Sequence, residues 1–202
     1  MILLSSNAQN IFWLGRYLNR IQYLCSQFPF HCNETALDYT HAFCLPAFDA
    51  SSLNELVLDP EQPASFHQQF QNAKNNIHDL RGVISQKSFA ELNQLLQQAE
   101  RNAGFICDVC AECHDVLEAE EDEFLFLFFS LGQKMEQLDR QIRLKQTSEQ
   151  TLHDLDQLSQ HLDRCGVVSV TEAWQDLKRQ PDSQHYYHFS DHIDSLFELV
   201  RL

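Results

Sequence analysis

Ile11-Phe12-Trp13-Leu14-Gly15-Arg16-Tyr17-Leu18-Asn19-Arg20-Ile21, continued to Cys25, repeats its aliphatic residues at helical spacing. At 100° per residue, Ile11, Leu14, Leu18, Ile21 and Cys25 fall on one stripe, the seam by which a helix packs on a neighbour. Arg16, Asn19, Arg20 and Tyr23 fall on the opposite side, flanked by Phe12 and Trp13. Aromatic residues on the second face predict a helix covered on both sides. Its arginines then lie partly inside, where each needs a carboxylate or several acceptors.

The layout returns 117 residues later. Phe12, Leu14 and Gly15 become Phe129, Leu131 and Gly132; Leu18, Ile21 and Cys25 become Met135, Leu138 and Ile142. On the polar side Arg16, Asn19, Arg20 and Tyr23 become Gln133, Glu136, Gln137 and Arg140. A second echo joins Leu53-Asn54-Glu55-Leu56-Val57 to Leu196-Phe197-Glu198-Leu199-Val200. Together they predict an incomplete internal duplication within one all-helical domain over 1–202, with a first repeat over about 1–104 and a truncated second over about 105–202. A duplicated bundle short of its last helix is expected to leave an apolar groove, a contact surface for a partner or for a second copy of the chain.

The rest of the chain fits that frame. Five Gly and five Pro in 202 residues are too few for an all-β chain. Pro29 ends the first helix, and irregular chain is expected up to a short helix near 52–58. Asp59-Pro60-Glu61-Gln62-Pro63 starts another over about 64–83. Further helices are expected near 85–102, 105–117, 121–145, 148–165, 171–179 and 190–201, broken at Gly104 and Gly166. The fold class is therefore all-α, a bundle of about seven to nine helices.

Fourteen Lys and Arg against 29 Asp and Glu leave a formal charge of −15. Such a chain repels phosphate backbones and anionic lipid, so neither nucleic acid nor membrane is an expected partner. The longest apolar run, Phe124–Phe129, is far short of a membrane span. Met1-Ile2-Leu3-Leu4 lacks a basic start and a small-residue cleavage site, so a cytoplasmic location is expected. The seven cysteines then read as reduced thiols, most of them buried.

Four stretches resemble the alpha-E domain family (DUF403). Leu14-Gly15-Arg16-Tyr17-Leu18-Asn19-Arg20 is similar to the family's opening Leu-Gly-Arg-Tyr-Leu-Glu-Arg run. Asp59–Ser65 is similar to its Asp…Asn-Pro-x-Ser turn, and Ala73–Arg81 to its Ala-Arg-Glu-Asn-Ala-Arg helix. Leu131–Asp139 is similar to its second Leu-Gly…Glu-Arg-Ala-Asp motif. The resemblance spans about residues 3–145. The first Glu-Arg pair is Asn19-Arg20 here and the second is Glu136-Gln137, so each copy has lost one partner. The resemblance implies a setting beside circularly permuted ATP-grasp ligases and transglutaminase-like peptidases, in peptide or amide-bond synthesis. The expected role is a non-catalytic accessory contacting the ligase or its peptide substrate, with no cofactor. The alternative is an enzyme of amide or peptide-bond chemistry using the Arg/Glu cluster.

Candidate site residues are Arg16, Asn19, Arg20, Tyr23, Glu136, Gln137 and Arg140, joined by a basic stripe of Lys74, His78 and Arg81. They read either as a carboxylate or phosphate site or as a buried polar network fixing which helices pair. Arg20 and Glu136 in particular are expected to meet. Cys107, Cys110, Cys113 and His114 form a weak metal-like string: on one rigid helix Cys113 lies 120° from Cys107, so no metal is expected. Glu118, Glu120, Glu121, Asp122 and Glu123 read as a solvated helix start. No Gly-rich phosphate loop, Gly-x-Ser-x-Gly or His-Glu-x-x-His is present.

Overall fold

The computed structural model describes residues 5–101, 105–120, 122–164 and 171–199. The expected breaks at Gly104 and Gly166, the side chain of Cys107 and the end of the second echo at Val200 lie outside them. Among the described residues there are ten helices and no strand: α1 (Ser5–Gln27), α2 (Asn33–Phe43), α3 (Ala50–Leu58), α4 (Phe66–Asp79), α5 (Gln86–Arg101), α6 (Ile106–Glu118), α7 (Glu123–Arg143), α8 (Glu149–Arg164), α9 (Thr171–Arg179) and α10 (Ser183–Leu199). The all-α expectation holds, with one helix more than the expected upper count.

The additional helix is α2, in a stretch read as irregular. It buries only Ala36, Tyr39 and Thr40, too few for a clear apolar stripe, and its N-cap, Cys32, is not one of the Ser, Thr, Asp or Asn residues that announce a helix start. It ends at Cys44, which takes the left-handed conformation (φ 53°) that sequence reading reserves for Gly or Asn. The last helix also begins at Ser183 rather than near 190. Asp182 caps it, accepting from the backbone N–H of His185 at 3.0 Å.

The chain divides into two compact units. One comprises Tyr17–Glu120; the other joins the described residues up to Arg16 with those from Asp122 onward. Helix α6, which the repeat reading put in the second half, belongs to the first of these. In that unit α2 packs on α3, α3 on α4, α4 on α5 and α5 on α6. Side chains tie the connections. Asn54 bonds both the N–H and the C=O of Phe30 at 2.9 Å, and Asn33 accepts from the N–H of Ala50. Asp49 and Ser52 form a reciprocal capping box at the start of α3. In the Asp59–Ser65 turn, Ser65 caps α4, while Gln68 and Gln69 donate to the carbonyls of Pro60 and Pro63. Ser85 accepts from Ser88 N–H at the start of α5. Glu120 is not simply solvated as expected: it accepts from the Ser85 hydroxyl at 2.7 Å.

In the other unit α7 packs on α8 and on α10, and α10 on α9. Asp122 caps α7 by accepting from Phe124 and Leu125 N–H. Tyr186 donates its buried hydroxyl to the carbonyl of Met135, and Lys134 reaches Asp154 at 2.6 Å. Phe197 packs its ring against both Phe12 and Phe128.

Candidate functional site

The first turns of α1 cross α7 at two glycines. A Cβ on Gly15 would overlap the carbonyl oxygen of Phe129, and a Cβ on Gly132 would overlap that of Phe12. Only hydrogen at both positions lets the two backbones approach this closely. The contact is reciprocal in the 117-residue register: Gly15 corresponds to Gly132 and Phe12 to Phe129. Such mutual contact is what a local two-fold relation between equivalent segments produces. Burial follows the same register. Leu14 and Leu131, Leu18 and Met135, and Ile21 and Leu138 are buried, while Cys25 and Ile142 are both half-buried.

One residue beyond the first glycine, Arg16 donates through Nε to Glu136 Oε2 over 3.0 Å. Their side chains are 9% and 3% exposed, so the pair is withdrawn from water. The guanidinium also lies 4.8 Å from the ring centre of Trp13 and 5.9 Å from that of Phe12. Attraction to the ring faces and the carboxylate bond together offset the desolvation of the cation. Trp13 was read from the sequence only as a flank; its distance of three residues from Arg16 is the signal that it faces it.

Gln137 and Arg140 are half-buried further along α7. Near its end Asp139 bonds Arg143 at 2.8 Å, and Arg143 in turn reaches Tyr187 on α10. The remaining sequence candidates belong to the other unit. Asn19, Arg20, Tyr23 and Lys74 are half-buried there. Arg20 lies 5.8 Å from the ring of Tyr17, and Tyr23 stacks on Tyr39. His78 and Arg81 are exposed and flank the ring of Phe89 on α5.

The cysteine string lies on one continuous helix, α6. Cys113 is fully buried, and desolvation, helped by the charge of Glu112, pushes its thiol up to about 12. His114 turns elsewhere: its Nδ1 is 3.4 Å from Glu118 Oε1, and Asp115 is close by on the same surface.

These features define a class: an all-helical protein whose helices α1 and α7 are joined by a reciprocal glycine crossing and an Arg–Glu pair. The chain belongs to the Alpha-E family, a predicted alpha-helical domain with a conserved ER motif, which it matches over residues 3–188. The match extends past the motifs read in the sequence, through α8 and α9 into α10. No curated protein and no solved structure matches the chain. No described helix is long and apolar enough to cross a membrane.

Proposed function

We propose that this chain is a non-catalytic helical accessory in an ATP-grasp-type system for ligating peptides or amides, contacting the ligase or its peptide substrate in the cytoplasm. The observation that carries this reading is the Arg16–Glu136 pair. The one Glu retained by the chain's two degenerate Glu-Arg motifs is buried and bonded to an arginine of another helix. A carboxylate so committed positions helices; a general base needs access to the proton that it takes. A transglutaminase-like peptidase is the further partner that the same setting implies, and self-association remains part of the proposal.

A contact surface is available. Phe48 is 76% exposed on the turn between α2 and α3, which the Asp49–Ser52 capping box holds in place. Residues 21–73 contain no Lys or Arg but six acidic residues, so a partner docking over this turn should offer an apolar socket with a basic rim. Co-expression with an ATP-grasp ligase encoded beside it, followed by gel filtration and ligase turnover, tests the reading. A complex that weakens in Phe48→Ala and a changed turnover are expected. Absence of both overturns it. Amide-forming activity by the chain alone, lost in a folded Glu136→Gln variant, would favour the enzyme alternative.

A further inference from the structure

Helices α8 and α9 border an open cleft of about 150 Å³, lined by Asp156, Ser159, Trp174 and Lys178 together with the exposed Gln160, Asp163 and Gln175. It is too small for a drug-sized cofactor and large enough for a side-chain head group. One wall is already ordered. Asp156 Oδ1 accepts from Trp174 Nε1 at 2.8 Å and from Lys178 Nζ at 2.6 Å, and its Oδ2 accepts from Gln160 at 3.0 Å. The bonds from Lys178 and Trp174 hold this carboxyl below its ordinary range, so it is ionised. The Lys178 charge is spent on it, and the ammonium also lies 5.5 Å from the Trp174 ring centre.

Among the described residues, the rest of the lining is unspent. Asp163, two turns along α8 from Asp156 and so on the same face, makes no ion pair or hydrogen bond among the described residues, and neither do the side chains of Ser159 and Gln175. Among the described residues the cleft thus has one uncompensated negative charge and further oxygen acceptors, in a chain of net charge −15. That set complements a cation rich in N–H donors. We propose that the α8–α9 cleft binds a basic side chain, an Arg or Lys, of a peptide. The proposal rests on the peptide-substrate arm of the function above and names the group recognised.

The test is titration of the whole chain with Nα-acetyl-arginine methylamide and Nα-acetyl-lysine methylamide, with Nα-acetyl-glutamate methylamide as the opposite-charge probe. Binding is read at the indole ¹H–¹⁵N resonance of Trp174, one of two in the chain, assigned through Trp13→Phe. Saturable shifts are expected with the basic compounds and none with the acidic one. Asp163→Asn, an exposed change that leaves the fold alone, should raise Kd about threefold. Lys178→Ala, which frees Asp156, should lower it. No shift with either basic compound, an equal shift with the acidic one, or an unchanged Kd in Asp163→Asn overturns the proposal. These probes contain no ligase, so failure here leaves the complex-formation test standing, and failure of that test leaves this one standing.

Discussion

Gly15 and Gly132, 117 residues apart, each lie against the carbonyl of the residue three positions before the other. A sequence echo thereby becomes a contact: matching Leu-Gly pairs set the point at which α1 and α7 cross. Alanine at either position would place a methyl group inside a backbone carbonyl, and neither helix backbone can yield locally. Gly15→Ala and Gly132→Ala should each cost about 1–3 kcal/mol or more in urea unfolding. Gly82→Ala is the control, since nothing lies within 4 Å of its Cβ position. It should change stability by no more than about 0.5 kcal/mol.

The thiols should separate by exposure. Cys32 and Cys44 are exposed, and bonds from the backbone N–H groups of Thr35 and Glu34 pull the Cys32 thiol down. Cys113, at about 12, stays protonated, and Cys110 is buried. N-ethylmaleimide at pH 7.5 followed by mass spectrometry should label Cys32 first and Cys44 next. Cys110 and Cys113 should react only after denaturation.

Asp182 predicts one component of acid sensitivity. Bonds from the backbone and then the ring of His185 hold its carboxyl down to about 2, against an ordinary 3.8. A folded-state value below the unfolded one stabilises the fold above the unfolded pKa, and that contribution disappears as pH falls from about 4 through 2. Asp182→Asn should therefore melt lower than the parent at pH 6. The two melting temperatures should converge towards pH 2, as circular dichroism would show.

How far this architecture can be read from the sequence depends on what each element uses to declare itself. The long helices do so by aliphatic spacing: Leu14, Leu18 and Ile21, echoed by Leu131, Met135 and Leu138, are buried as their register predicts. Helix α2 gives no such signal, because it ends on a left-handed Cys44 and buries little. Helix α10 starts at a cap, Asp182, that stands just after Pro181 and looks like part of a loop. At the site, a helical wheel places Arg16 and Arg20 only 40° apart and so favours neither as a partner for Glu136. The Arg16–Glu136 bond lies one residue from the glycine crossing, a position along the helix axis that a wheel does not carry. The α8–α9 cleft is harder still, since Asp156, Trp174 and Lys178 converge only after two helices have packed.

A double-mutant cycle on Arg16 and Glu136 asks most directly whether the pair is a lock between helices. Arg16→Met and Glu136→Leu should each destabilise the chain by about 3–5 kcal/mol, since each strands a buried charge. The double variant should cost clearly less than the sum of the two single changes, because the bond between them is lost only once. Strictly additive losses, or single variants as stable as the parent, would contradict the lock.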